Sequence, residues 1–356
     1  MKTKNSLINN SEKCPPRADT MIHSLRSFGY NISESIADII DNSISARAEN
    51  IWIIQNWKGT ESWIAILDDG NGMNESELKE AMRMGTKSLD EREDDDLGRF
   101  GFGLKTASFA QCDKLTVRSK QNNSLATRCW DLDIVKMEKQ WILLKDAYPE
   151  TEHALEFLNN SSKGTIVVWE KLTRMMNNFE SMNDSEQQNT FNKQLAEIEN
   201  YTAMVFHRYL DIGGRLNIFI TNTSDFDNPR KIKPWDPFLR KKKSKELPDM
   251  FIDDGKIKLK GYILPHHSKL KPLDFNDAAK PLGSWNEHQG FYVYRQNRMI
   301  SAGTWLNTGH EKLDHFRLAR VSIEINNSND TEWKIDVTKS EIIPPPYLVR
   351  ELYAYA

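Results

Sequence analysis

Asp38 and Asn42 stand four residues apart in the segment ESIADIIDNSISA, Glu34 to Ala46, a spacing that puts a carboxylate and an amide on one helix face. The amide oxygen is the hard kind of ligand Mg²⁺ takes when it bridges to nucleotide phosphates, and a carboxylate one turn earlier can deprotonate water for attack on a γ-phosphate. Asp68 begins a second cluster, DDGNGM, which ends at Met73 and places Gly70 and Gly72 one residue apart after the apolar run WIAIL. Such a turn holds a carboxylate at a sheet edge, where it can accept a hydrogen bond from an exocyclic amine such as that of adenine. In a third cluster, GRFGFGLKTAS over residues 98–108, Gly98, Gly101 and Gly103 let backbone amides approach an anion. A helix opening at Leu104, with Lys105 and Thr106 in its first turn, would aim free N–H groups at phosphate. Thr165 follows Gly164 in the β-prone run GTIVVWEKL, where its hydroxyl could back up the base contact.

The elements that must carry these residues are legible from periodicity. Ile36, Ile39, Ile40 and Ile44 recur at helical spacing and mark a buried stripe, with Glu34, Asp38, Asn42 and Ser45 on another face. The segment MGTKSLDEREDDDLG, Met84 to Gly98, is acidic and poor in core formers and reads as a mobile lid. Taken singly, each cluster also fits an ordinary element: a solvated helix face, a surface turn or a flexible loop.

Taken in order, the motifs resemble those of the GHKL superfamily, whose ATP-binding Bergerat fold is shared by gyrase B, heat-shock chaperone ATPases, histidine kinases and MutL. The family's acid-to-asparagine helix maps onto Asp38 and Asn42, its adenine motif onto Asp68, Gly70 and Gly72, its lid glycines onto Gly98, Gly101 and Gly103, and its GT pair onto Gly164 and Thr165. The DNS triplet and GRFGFGLKTAS are most similar to the MORC-like and MutL-like bacterial branch, in which the lysine after the last lid glycine, here Lys105, reaches phosphate. The resemblance implies ATP and Mg²⁺ as cofactors, with the metal on Asn42. It also implies a two-layer α/β sandwich ATPase domain over residues 15–175, with the lid at 84–103. Relatives that hydrolyse ATP carry Glu where Asp38 stands, so Asp38 or Glu34 is the base, and Ser45 replaces a later family aspartate.

Farther along, GFYVYRQNRMI (Gly290–Ile300) is a β-prone run with a basic interruption, and WKIDVTKSEI (Trp333–Ile342) alternates before Pro344. Both are similar to the transducer domain of MutL and gyrase B, which implies an α/β domain over residues 213–356 and a loop lysine, Lys339, at the γ-phosphate. Residues 176–212 read as a helical connection, with Phe191, Leu195, Ile198 and Val205 on its packed side. Two domains suit the 356-residue length.

A net charge of −3 excludes a chain that binds nucleic acid through overall positive charge. Between Arg230 and Lys260, however, eleven Lys or Arg face five Asp or Glu, with Arg240 to Lys243 beside Trp235 and Phe238. Clustered cations near aromatics could track a phosphate backbone, although charge runs are usually solvated. Three cysteines without ligand spacing argue against a disulfide framework or zinc site, and no long apolar stretch suggests a membrane span, so a cytoplasmic protein is expected.

The leading functional expectation is an ATPase whose nucleotide drives lid closure and homodimerisation, acting as a clamp or gate on DNA or a DNA-processing partner protein. The resemblance associates this branch with DNA restriction and defence. Two alternatives remain: a non-catalytic nucleotide-gated binding module, and a histidine kinase, against which the absence of a histidine-bearing helix before the ATP domain argues.

Overall fold

The computed structural model describes residues 11–12, 14–27, 29–85, 103–176, 181–211, 213, 215–326, 332–336, 338–339 and 342–356. Gly98, Gly101 and nearly all of the expected lid lie outside the described residues.

Seven strands build the first sheet: β1 (Asn50–Asn56), β2 (Trp63–Asp68), β3 (Lys114–Gln121), β4 (Ser124–Asp131), β5 (Gly164–Glu170), β6 (Asn217–Asn222) and β7 (Arg230–Lys231). Their order is β4-β3-β5-β2-β1-β6-β7, antiparallel except for the parallel β1–β6 pair. The second, six-stranded sheet comprises β8 (Lys245–Glu246), β9 (Met250–Ile252), β10 (Ile257–Ile263), β11 (Gly290–Arg295), β12 (Arg298–Thr304) and β13 (Ala319–Ile325). The helices are α1 (Ala18–Arg26), α2 (Ile32–Ser45), α3 (Glu75–Met82), α4 (Gly103–Gln111), α5 (Leu132–Glu138), α6 (Glu152–Leu155), α7 (Asp184–Val205), α8 (His207–Asp211), α9 (Pro272–Ala279) and α10 (Val349–Tyr355). The chain is thus a mixed α/β protein, as the motifs led us to expect. β6 and β7 pair into the first sheet, and the first strand of the second sheet begins at Lys245.

Strand alternation explains why β2 and β5 read as continuous apolar runs. Ile64, Ile66, Val167 and Trp169 face the helices with Ile36, Ile40 and Phe109, whereas Ala65, Leu67, Ile166 and Val168 face Ala154, Leu155 and Leu158 on the opposite side. Both faces of the central strands are therefore buried, and no polar residue is needed between the apolar ones.

Helix α2 is fixed at its start by a reciprocal cap: the Asn31 side chain accepts from the Glu34 N–H, and the Glu34 carboxylate accepts from the Asn31 N–H. Such a cap contributes about 1 kcal/mol. Helix α7 has the same kind of cap from Asn183 and Glu186, and it buries Phe191, Leu195, Ile198 and Val205 as its periodicity predicts.

The basic interruption Arg-Gln-Asn-Arg is a hairpin turn. Gln296 and Asn297 both take left-handed backbone, with φ 49° and 69°, the geometry two-residue turns need to match strand twist. Along β11, Phe291 and Val293 enter the core of the second sheet, while Tyr292 and Tyr294 face the helical side and join the first core. There the Arg208 guanidinium lies 3.3 Å from the Tyr294 ring centre and pairs with Glu324 at 2.6 Å, and His207 Nε2 meets the Tyr294 hydroxyl at 2.9 Å. This docking carries the β11–β12 hairpin to α2.

The alternating segment Trp333–Ile342 forms no strand among its described residues, which are turns and irregular chain. Lys334 and Lys339 have left-handed φ values of 41° and 53°, incompatible with a pleated strand, while Trp333, Ile335 and Ile342 anchor the segment in the second core.

Candidate active site

Helix α2 carries two polar centres on its length. Asp38 and Ser43 are separated by five residues, about 7.5 Å along the axis, and each reaches a different partner.

At the first centre, Lys339 Nζ lies 3.0 Å from Asp38 Oδ1 and 2.7 Å from Asp41 Oδ2. Arg298 at the start of β12 donates through Nε to both oxygens of Asp41, at 2.9 and 2.8 Å. Its Nη1 donates to the carbonyls of Met299 at 3.1 Å and Lys339 at 3.3 Å. The other oxygen of Asp38 accepts from the Tyr30 hydroxyl at 2.7 Å. The four charged groups are almost fully buried, at 3 %, 1 %, 0 % and 6 % exposure for Asp38, Asp41, Arg298 and Lys339. Two carboxylates and two cations balance, which is what lets buried charge persist. Burial works against the Arg298 charge, but Asp41, Tyr201 and Asp38 hold its guanidinium above its ordinary value. Burial, then the Asp38 charge, likewise push the Tyr30 hydroxyl far up, so it stays a donor.

Gly103 opens α4 against this centre: a Cβ there would stand 3.3 Å from Asp38 Oδ2. The amino end of α4, where an anion is favoured, thus faces the Asp38 carboxylate. Lys105 does something other than expected. It is buried, and its ammonium donates to the Ala81 carbonyl of α3 at 2.8 Å. Thr106 is also buried in α4, and Leu104 is half-buried.

At the second centre, Asp68 ends β2 and accepts from Ser43 Oγ at 2.9 Å and from the Gly70 N–H at 2.9 Å. Burial pushes its carboxyl up to about 6, against the hydrogen bonds from Gly70, Ser43 and the Thr165 backbone that favour the charged form. Thr165 stands opposite Asp68 in the β2–β5 register, and its hydroxyl lies 2.8 Å from Ser119 Oγ. Ser119 in turn accepts from the Met73 N–H at 2.8 Å. Gly72, at φ 68°, permits a close backbone crossing: a Cβ there would fall 1.9 Å from the Lys120 carbonyl oxygen. Gly164 is similar, with a Cβ position 2.0 Å from the Asp68 carbonyl oxygen.

Asn42 is exposed on α2 beside these centres, so its amide oxygen is accessible to a hydrated cation. Glu34 takes part in the helix cap described above, whereas Asp38, with Asp41, meets Lys339. The residues sequence reasoning passed over are Tyr30, Asp41, Ser43, Ser119 and Arg298. Asp41 and Ser43 flank Asn42 in the DNS triplet, and Arg298 closes the basic hairpin turn, but nothing in one dimension pairs the two segments.

The basic segment is laid out differently from a nucleic-acid track. Arg240 pairs with Asp236 and Asp211, Lys241 with Asp211, Lys242 with Asp274, Lys258 with Asp249 and Lys260 with Glu246. Phe238 is buried and stacked on Tyr262 with ring centres 4.2 Å apart, and the Trp235 indole N–H donates to the Asp277 carbonyl. Neither ring is a free stacking platform. Among the described residues no group of His, Cys, Asp or Glu is arranged to hold a metal, and no helix is long and apolar enough to cross a membrane.

Helix α2 thus links the buried charge cluster faced by the amino end of α4 to the hydrogen-bonded carboxylate at the end of β2. Residues 30–165 match the model of the family described as histidine kinase-, DNA gyrase B-, and HSP90-like ATPase, which supports a GHKL-type ATPase domain in that part of the chain. No curated protein matches the chain.

Proposed function

We propose that this protein binds ATP with Mg²⁺ and hydrolyses it slowly, with the nucleotide state read by the second sheet through Lys339. The observation that carries the reading is the convergence of Asp38, Lys339 and the amino end of α4 at one buried centre. Asp68 would accept from the adenine amine, with Ser43, Thr165 and the turn of Gly70, Gly72 and Met73 holding it. Asn42 would hold Mg²⁺, which supplies charge neutralisation at the phosphates. Asp38 takes the proton as water oxygen bonds to the γ-phosphorus and the bond to the bridging oxygen breaks, the electron pair leaving with ADP. For that, Lys339 must first vacate Asp38 Oδ1 and move to the γ-phosphate, where its charge stabilises the transferred group. Lys105 would contribute to phosphate binding from its place beside the Ala81 carbonyl, using its remaining N–H donors.

Single-turnover hydrolysis by the wild type, Asp38→Asn and Asp38→Glu tests this. We expect Asp38→Asn to lose about two orders of magnitude or more, whereas equal rates in all three would remove Asp38 as the base. A second reading is favoured by the ion pair itself: with its proton-accepting oxygen held by Lys339, Asp38 leaves ATP a ligand only, and the protein is a nucleotide-gated module. Binding without turnover identifies that case.

Closure of the segment 84–103 over ATP, homodimerisation and a clamp or gate on DNA or a partner protein in restriction or defence extend the same reading. Sizing the protein with ADP and with a non-hydrolysable ATP analogue tests it: a dimer only with the analogue supports the clamp, and an unchanged monomer with analogue bound refutes it.

A further inference from the structure

Lys339 is shared between two carboxylates, but among the described residues only one of them has a second cation. Asp41 is held by Arg298 through both oxygens, whereas Asp38 has Lys339 on one oxygen and the neutral Tyr30 hydroxyl on the other. Asp38 and Asp41 lie three residues apart on α2, on one face, so a single ammonium reaches both.

Removing Lys339 from this cluster therefore has unequal consequences. Asp41 keeps a buried counter-ion, and Asp38 is released to accept a proton. Without Arg298, departure of Lys339 would leave two buried carboxylates a turn apart with no cation among the described residues, which the interior strongly disfavours. Arg298 also holds the loop itself. Its Nη1 bonds the Lys339 carbonyl at 3.3 Å, while the Lys339 N–H donates to Asp336 at 3.2 Å, keeping Lys339 in its left-handed turn. Its Nη2 is buried and has no hydrogen-bond partner among the described residues.

We propose that Arg298 and Asp41 are positioning residues that make the Lys339 ammonium releasable: Arg298 remains on Asp41 as its permanent counter-ion, so that Lys339 can leave for the γ-phosphate while its backbone stays pinned to β12. This rests on the reading of the site as one for ATP. It places the discrimination between ATP and ADP in a pair of residues that need not touch nucleotide.

The test is the ratio of affinities for ADP and a non-hydrolysable ATP analogue, both with Mg²⁺, measured on the full chain by calorimetry. The wild type should favour the analogue by about tenfold, the worth of one added charge contact near 1.4 kcal/mol. In Arg298→Gln, Lys339 is locked on Asp38 and Asp41; the ratio should fall to about one while ADP affinity changes less than about threefold. The double variant Arg298→Gln/Asp41→Asn removes the charge that locks the lysine, and the ratio should recover. A ratio unchanged in Arg298→Gln overturns the proposal, as does a loss that Asp41→Asn does not restore, whether the single variant binds ADP or not. Failure of the parent reading looks different: the wild type then binds neither nucleotide, or binds both equally, and the proposal falls with it.

Discussion

Lys339 Nζ sits 3.0 Å from Asp38 Oδ1, joining residues 301 positions apart in the chain through a contact that is almost wholly buried. The loop at Lys339 and helix α2 are thus tied through the same carboxylate that stands as the candidate base. In this state that carboxylate is engaged.

Breaking one side of the cluster should be costly. Lys339→Met leaves Asp38 and Asp41 with one cation between them, and we expect it to lose about 3–5 kcal/mol of unfolding free energy without nucleotide, the usual effect of orphaning a buried charge. Asp38→Asn in the same background should recover part of that loss. Denaturant unfolding of the wild type, both single variants and the double variant measures the coupling; strict additivity would show that the contact carries no energy.

Asp68 should give stability and pH opposite signs from an ordinary ion-paired carboxylate. Its folded value of about 6 lies above the usual range because of burial, so the folded state binds a proton that the unfolded chain has lost between pH 4 and 6. The neutral form's stabilisation is complete below about pH 4 and is lost as pH rises through about 6. Relative to Asp68→Asn, the wild type should therefore gain up to about 3 kcal/mol between pH 7 and pH 4. Adenine affinity should move the other way, since protonation removes an acceptor. Urea midpoints for both proteins across this range check the first; a flat difference contradicts the burial of a charged carboxylate.

Gly72→Ala and Gly164→Ala should be severely destabilising. Each Cβ would meet a backbone carbonyl oxygen, 1.9 Å away at Gly72 and 2.0 Å at Gly164, and no side-chain rotation relieves such a clash. Gly59, also at positive φ but with open space around its Cβ position, provides the control. There Ala should cost only about 1 kcal/mol from backbone conformation. Thermal melts of the three variants distinguish the cases.

The three thiols should react unequally. Cys14 is exposed, whereas Cys112 and Cys129 are buried, with burial pushing the Cys112 thiol well up and the Cys129 thiol to about 11. Native protein should therefore titrate one thiol rapidly with a disulfide reagent and all three only in denaturant. Fast modification of two or three in the folded protein would contradict the packing around α4 and β4.

Helices and strands with strong periodicity are legible in the sequence. The isoleucine stripe of α2 and the packed face of α7 both lie where their spacing puts them, and the apolar runs ending at Asp68 and beginning at Gly164 are adjacent strands. The segment Trp333–Ile342 shows the limit of the same reasoning: it alternates in sequence, but its described residues form turns and irregular chain anchored by Trp333, with Lys339 in a loop.

The sequence by itself determined which residue types stand at which local spacing: an aspartate and an asparagine one turn apart, an aspartate at a strand end and a glycine at a helix start. Local sterics and periodicity are enough for that, because they depend on neighbours within a few positions. Only the tertiary structure decided that Lys339 meets Asp38 and Asp41, that Arg298 holds Asp41, that Ser43 supports Asp68, and that Lys105 faces Ala81. The pairings of Lys339 and Arg298 arise from docking the β11–β12 hairpin and the loop at Lys339 against α2, the Ser43 pairing from packing α2 on β2, and the Lys105 contact from packing α4 beside α3. Buried charge must find opposite charge in space, and the chain records no distance between residues 38 and 339.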